Sequence, residues 1–181
     1  MTDNFIHSKY ISKTICNKLV SYYNNNLHMV KPGALTNGID KNVKDSFDID
    51  LELNNTLLKE YFLLLKEVVL SYCKKFKYIK YNQLYGIKEK PVLQFYKKNG
   101  GFKKWHFERT CLINSNRLFA FMTYLNNVED GGTMFYYQKK TFQAKKGLTL
   151  IWPADWTHTH KGQISKTKEK YIITGWLSYV N

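Results

Sequence analysis

Two short runs in the second half of the chain hold residue types that can do chemistry. They are His106-Phe107-Glu108 and Thr157-His158-Thr159-His160, with Lys170 ten residues further on. In a strand, residues i and i+2 face the same side. His106 and Glu108 are therefore expected to converge on one metal ion while Phe107 turns into the opposite layer. One distant histidine completes a two-histidine, one-carboxylate set, which suits iron(II) and leaves three coordination positions open. His158 and His160 share a face by the same alternation, so both are candidates for that histidine. The interval to Lys170, a cation able to neutralise a carboxylate reaching in from the metal, favours His160. It leaves His158 as a group behind the ligands or toward substrate. An HxE pair alone is weak, because most such pairs are a half-exposed histidine beside a surface charge. The weight lies in the order of all the parts.

These groups need a scaffold. Ser8 is expected to cap a helix running to about Tyr23, with Ile11, Ile15, Leu19 and Tyr23 on its apolar face. His28 to Asp50 has the punctuation of a loop with short strands. Asn55 or Thr56 opens a longer helix through about Phe76, with Leu57, Tyr61, Leu64, Leu65 and Val68 on one side. Beyond Tyr78, runs rich in Val, Ile, Tyr, Phe and Thr alternate with Gly, Asn and Lys breaks. Strands are predicted near Val92–Lys97, Trp105–Thr110, Leu118–Asn126, Met134–Gln138, Leu148–Trp152, Thr157–His160 and Tyr171–Tyr179. The glycines of Asn99-Gly100-Gly101 allow a tight hairpin into the strand that holds His106. The expected architecture is mainly β, a double-stranded β-helix (jelly roll) with N-terminal helices packed on one sheet. It is expected to be one domain over 1–181, with a helical support region over 1–80 and a catalytic core over 90–181.

Composition narrows the class. The chain has 181 residues, enough for one domain with a core. Its 28 basic against 14 acidic residues give a formal charge of +14, which makes a nucleic acid or other polyanion a conceivable partner. The lysines are scattered, so that partner is not favoured. Cys16, Cys73 and Cys111 form no CxxC pair and suit reduced thiols in a cytoplasmic protein. Lys9 and Lys13 interrupt any leader-like apolar stretch, and Lys66 and Glu67 break the longest apolar run, so no membrane association is expected.

The stretches FYKKNGGFKKWHFE, RLFAFMTYLNNVEDGGTMFY, KKGLTLIWPADWTHTHKG and KYIITGWL together resemble the prolyl 4-hydroxylase-like branch of the iron(II)/2-oxoglutarate dioxygenases, nearest its small bacterial and phage members. The resemblance runs from about Val92 to Tyr179. It follows the family's order of a tyrosine and glycine turn, an HxD or HxE pair, an arginine-led strand ending in YLN, and an acidic-Gly-Gly turn. A distal histidine with glycine two residues later comes next, then a basic residue and a tryptophan. Two departures stand out. Glu108 replaces the commoner aspartate, and Gly131-Gly132-Thr133 lacks an acidic residue between glycine and threonine.

The resemblance implies His106, Glu108 and His160 as iron ligands and Lys170 as the partner of the distal carboxylate of 2-oxoglutarate. Tyr124 is implied as a second donor to that carboxylate, and Tyr96 as a wall of the cosubstrate pocket. Trp176, Arg117 and His158 are implied beside the substrate. Sheet packing is the alternative for Tyr96, Tyr124 and Trp176, and a solvated surface position for Lys170. The cofactors implied are Fe(II), with 2-oxoglutarate and O2 as cosubstrates, and the family also admits ascorbate. The partner implied is a peptide or protein containing proline, for which Trp105, Trp152, Trp156 and Trp176 offer an aromatic pocket. A free amino acid or a nucleobase is the competing substrate class, and a non-enzymatic polyanion-binding jelly roll the competing function. A cupin-type site is disfavoured because no HxH with a nearby glutamate is present.

Overall fold

The computed structural model describes residues 4–81 and 84–180. Along the chain come β1 (His7–Tyr10), α1 (Lys13–Asn25), β2 (Lys31–Pro32), β3 (Lys44–Asp45), β4 (Phe47–Asp50) and α2 (Thr56–Lys75). The sheet-rich part follows with β5 (Tyr85–Gly86), β6 (Val92–Tyr96), β7 (Gly101–Phe102), β8 (Arg117–Tyr124) and β9 (Val128–Phe135). It closes with β10 (Lys140–Ala144), β11 (Leu148–Pro153), β12 (His160–Gly162) and β13 (Lys170–Tyr179).

Helix α2 is where sequence pattern and structure agree best. Asn55 caps it by accepting from the amides of Leu57 and Leu58, and Lys74 and Lys75 sit in its last turn, where the helix dipole favours cations. Leu58, Tyr61, Leu65, Val68 and Tyr72 recur at three- and four-residue intervals and are the buried face. Leu58 therefore takes the place expected of Leu57. Helix α1 starts later than expected. Ser12, not Ser8, caps it through Thr14 N–H. His7–Tyr10 is an edge strand paired antiparallel with Leu148–Ile151. An unpaired edge on β11 was available, and its backbone partners outweigh the weak helical pattern of those residues.

The major sheet runs β1-β11-β8-β13-β6-β4-β2, with β5 also pairing β13. A minor sheet, β10-β9-β12, faces it and is extended by an isolated bridge between His106 and His160. This is the expected jelly roll, with both helices on the outer face of the major sheet. Alternation along the strands divides the interior in two. Phe119, Phe121, Ile173, Leu177, Leu93 and Ile151 pack with α1 and α2. Ala120, Met122, Tyr124, Ile172 and Trp152 face the space between the sheets.

Three strand assignments change. Trp105–Thr110 is not a strand: only His106 bridges, and the amides of Glu108 and Arg109 both donate to Ala154 O at 3.0 Å. Thr157–His160 is a 3-10 turn over Trp156–His158 followed by β12. The expected Asp-Gly-Gly turn lies inside β9, which begins six residues before Met134. The glycines serve close approach there. A Cβ on Gly132 would stand 2.3 Å from Phe142 O on β10, and one on Gly131 would stand 2.5 Å from Val128 Cγ1. Nor do Gly100 and Gly101 form a hairpin from β6, since β7 pairs with β3 instead and Asn99 is the residue with positive φ. No helix among the described residues is long and apolar enough to cross a membrane.

Candidate metal centre and cosubstrate cleft

Between the sheets lies a cleft of about 740 Å³, large enough for a small cosubstrate and part of a second molecule. His106, Glu108 and His160 meet in it, with one potential ligand atom from each lying within 4.8 Å of the others. The antiparallel bridge holds the two histidines together, with His106 N–H to His160 O at 2.9 Å and His160 N–H to His106 O at 2.8 Å. The shared carbonyl of Ala154 bends the chain after His106 and returns Glu108 to the same side. The convergence expected from strand alternation is thus present, but a bent backbone produces it.

The hydrogen bonds fix which atoms are free. His106 Nδ1 faces Lys104 O at 3.1 Å and His160 Nδ1 faces His158 O at 2.9 Å. Each Nδ1 carries the proton that a carbonyl can accept, which leaves an Nε2 lone pair. Those Nε2 atoms point at Glu108 Oε1, from 3.7 Å for His106 and 3.2 Å for His160. Burial holds the His106 imidazole down at about 3, and the neighbouring His160 adds to this, so His106 is neutral. Burial opposes ionisation of Glu108, but the adjacent imidazoles, His160 first, and the Trp176 indole N–H outweigh it and hold the carboxyl at about 2. Two lone pairs facing a carboxylate are repulsive unless a cation lies between them. Nitrogen, nitrogen and carboxylate oxygen are a donor set that first-row divalent metals accept, so the residues present fit iron(II).

Glu108 has outer support that the sequence did not reveal. Trp176 Nε1–H donates to Glu108 Oε2 at 2.9 Å, and Arg117 Nη1 donates to Glu108 O at 2.9 Å. The Arg117 guanidinium lies 3.6 Å over the Trp176 ring and pairs with Glu89. Trp176 lies 68 residues from Glu108, and Glu89 lies 28 from Arg117, so these contacts leave no local signature. Trp176 and Arg117 line the cleft, and both are also engaged in orienting Glu108.

Lys170 is buried, and no carboxylate lies within 4 Å of it among the described residues. Its ammonium donates to Gly131 O at 2.9 Å and Gln163 O at 3.3 Å and stands 5.1 Å from the centre of the Tyr96 ring. Burial lowers it to about 8. A buried cation met by two carbonyl dipoles and a ring face, with no carboxylate paired to it, is suited to an incoming anion. Tyr124 also lines the cleft, its OH paired with Thr133 Oγ1 at 2.6 Å, and Tyr96 OH donates to Gln94 Oε1 at 2.7 Å. The surface alternative for Lys170 is therefore excluded.

His158 lies outside the cluster and does not line the cleft. The 3-10 turn puts its ring on the far side of the segment, with Nε2 3.0 Å from Asn4 O and Nδ1 3.0 Å from Thr157 Oγ1. Of the four tryptophans, Trp105, Trp152 and Trp176 line the cleft and Trp156 does not.

No curated protein matches the chain by sequence. Residues 92–178 match the model of the 2OG-Fe(II) oxygenase superfamily. Solved structures share the fold throughout. The viral collagen prolyl hydroxylase of Paramecium Bursaria Chlorella virus-1, in its 2OG complex, superposes with a TM-score of 0.73 at 17% identity, covering 97% of each chain. A Pseudomonas putida prolyl-4-hydroxylase gives 0.74 at 10% identity, covering 98% of this chain and 94% of that one. A Trichoplax adhaerens prolyl hydroxylase, in complex with a hypoxia inducible factor peptide fragment, gives 0.79 at 13% identity over 97% and 84%. The chemistry of the superfamily uses Fe(II), 2-oxoglutarate and O2, which agrees with the donor set and the buried ammonium. Residues 92–178 thus match the 2OG-Fe(II) oxygenases by sequence, and the chain is folded throughout as the prolyl 4-hydroxylases are.

Proposed function

We propose that this 2-oxoglutarate-dependent dioxygenase hydroxylates a prolyl residue within a peptide or protein and releases succinate and CO2. The observation that carries the reading is the pairing of two features in one cleft: three donors that need a cation, and a buried ammonium that needs an anion. Peptide as the substrate class rests on the fold shared with prolyl hydroxylases, one of which is complexed with a peptide.

His106 Nε2, His160 Nε2 and a Glu108 oxygen would hold the iron. Lys170 would hold the far carboxylate of 2-oxoglutarate, with Tyr124 OH turning from Thr133 to donate to the same group. Tyr96 would form the wall beneath the ammonium. Fe(II), 2-oxoglutarate and O2 bound together supply an oxidising power that side chains lack, placing one oxygen atom in the substrate and the other in succinate. The protein's part is orientation. The two carbonyls facing the Nδ1 atoms set the imidazole tautomers, Trp176 holds the Glu108 carboxylate and Arg117 holds its backbone carbonyl. Trp105, Trp152 and Trp176 present apolar surface that excludes water from the reacting bond.

The test begins without oxygen. Iron(II) and 2-oxoglutarate added together should produce a visible metal-to-ligand band. Air and a proline-containing peptide should then give succinate and a peptide heavier by one oxygen in equal amounts. Absence of the band, or 2-oxoglutarate consumption stimulated by an oligonucleotide and not by the peptide, would overturn the proposal.

A further inference from the structure

Four large aromatic side chains lie open to solvent beside the metal end of the cleft. Trp105, Tyr136, Tyr137 and Trp156 are 39%, 56%, 57% and 59% exposed. They form one continuous run of edge-to-face rings. Trp105 and Tyr136 have centroids 5.2 Å apart, Tyr136 and Tyr137 5.2 Å, and Tyr137 and Trp156 6.0 Å, with interplanar angles of 79°, 85° and 82°. Exposed rings scattered singly are ordinary, but a contiguous row is not.

The row is anchored. Tyr136 N–H donates to Thr159 O at 2.9 Å, Gln138 Nε2–H donates to Thr157 O at 2.9 Å, and the Arg109 guanidinium grips the Asp155 carboxylate next to Trp156. Its geometry therefore exists before anything binds, which lowers the entropic cost of association. One end is continuous with the cleft, since Trp105 lines it and directly precedes His106. The surroundings are basic. Lys161 Nζ lies 4.6 Å over the Trp105 ring, and Lys104, Lys139 and Lys140 neighbour the rings in sequence. Among the described residues, none of these four lysines has a carboxylate within 4 Å. The indole N–H groups of Trp105 and Trp156 and the hydroxyls of Tyr136 and Tyr137 have no hydrogen-bond partner among the described residues.

We propose that this row docks the part of the substrate polypeptide that flanks the reacting residue, in extended conformation and with acidic side chains among the lysines; the proposal rests on the reading of the cleft as a site for peptide hydroxylation. Rings at near right angles leave V-shaped grooves, and such aromatic grooves accept extended polyproline-type chain. The carbonyls of such a chain have no internal partners, so they can accept from the free indole and phenol donors at the rim. A nucleic acid would instead need open, parallel ring faces for successive bases. The unpaired lysines complement acidic side chains and set a preference for them.

The test uses the full chain loaded with iron(II) and 2-oxoglutarate under nitrogen, with anisotropy of a labelled proline-containing peptide flanked by glutamates. A matched peptide carries lysines at those positions. The glutamate peptide should bind about tenfold tighter than the lysine peptide, a tenfold change being one step of affinity. Tyr136→Ala with Tyr137→Ala should weaken the glutamate peptide about tenfold, while the visible band reports that iron and cosubstrate still bind. Lys139→Glu with Lys140→Glu leaves the rings in place and should reduce or reverse the preference between the two peptides. Equal affinity for the two peptides, no loss in the tyrosine variant, or displacement of peptide by oligothymidylate would overturn the proposal. Failure of either peptide to bind while the band forms would overturn it too, leaving the dioxygenase reading intact. Peptide that binds as expected but is never hydroxylated would sink that reading alone.

Discussion

The two faces of the major sheet treat buried polarity in opposite ways. On the helix-facing side, Thr123 is wholly buried, yet its hydroxyl is paired with Tyr61 OH at 2.8 Å and Thr149 Oγ1 at 2.7 Å. Phe121 and Ile173 pack there with Leu58 and Leu65 of α2, and the hydroxyls of Tyr23 and Tyr72 are likewise paired, with Phe47 O and Phe5 O. On the cleft-facing side, Lys170 of β13 has no carboxylate, and across the cleft Glu108, on the bent segment after His106, faces two lone pairs. Groups satisfied within the chain hold the fold together, whereas polar groups left with unused capacity make the fold less stable until a ligand arrives.

The largest effect expected follows from removing a member of the donor set. His106→Ala or Glu108→Ala should abolish iron binding and succinate formation while leaving the metal-free protein folded, with Tm within a few degrees of the parent. Near-normal succinate production by both variants would end the metal assignment. The opposite behaviour is expected on the other face. Leu58→Ala should cost about 2–5 kcal/mol of stability, as cavity-forming changes in buried leucines do, with succinate per folded molecule unchanged. Denaturant unfolding read beside turnover checks both. A loss of turnover larger than the loss of folded protein would show that the faces are not independent.

Lys170 sharpens the contrast because it should act in both ways at once. Lys170→Met removes a buried cation that no carboxylate pairs with, so the ligand-free protein should gain roughly 1–3 kcal/mol in stability. The same variant should need at least about tenfold more 2-oxoglutarate, the scale of one lost charge-assisted hydrogen bond. Melting with and without 2-oxoglutarate reads the two effects separately. The pH dependence has a definite sign. Burial lowers this ammonium to about 8 from its ordinary 10.5, so the folded protein loses the proton first as pH rises. Between those values the unfolded chain binds the extra proton, so stability of the ligand-free protein contributed by this group increases with pH. Affinity for 2-oxoglutarate moves the other way and should fall as pH rises through about 8. Affinity unchanged between pH 7 and 9 would remove Lys170 from the cosubstrate site.

How far the site was legible follows from which interactions are local. Helix α2 and the strands β6, β8, β11 and β13 were visible because their side-chain periods span several residues and match one buried face. The HxE pair and Lys170 were visible as residue types in an order. Their geometry was hidden, since the bend after His106 is made by the carbonyl of Ala154, 46 residues from Glu108 in the chain. His158 and His160 cannot be separated by alternation, because a 3-10 turn ends at His158 and β12 begins at His160, with contacts to the N-terminal segment and to β9 holding each in place. β1 was mistaken for helix because its partner strand, not its own pattern, decides its conformation. The brace of Trp176 and Arg117 on Glu108 belongs to the same class: it exists only once β8 and β13 are adjacent.

The smallest effect is the most exacting test of the two-faced sheet. Tyr61→Phe keeps the ring packed against Phe121, at a centroid distance of 6.3 Å, and removes only the hydroxyl. Thr123 then retains Thr149 as a partner, so no buried donor is stranded and the cost should be about 0.5–1.5 kcal/mol, the net value of one hydrogen bond. Thr123 is followed by Tyr124, whose side chain emerges on the opposite face toward Lys170, so any transmission between faces would pass through this one peptide unit. The rigidity of a strand hydrogen-bonded on both sides, to β11 and β13, argues that nothing passes. The 2-oxoglutarate requirement of Tyr61→Phe should therefore equal that of the parent while its denaturant midpoint falls. If the requirement rises instead, the helix layer would be tuning the cleft, and the division between a face that stabilises and a face that binds would have to be given up at this rung.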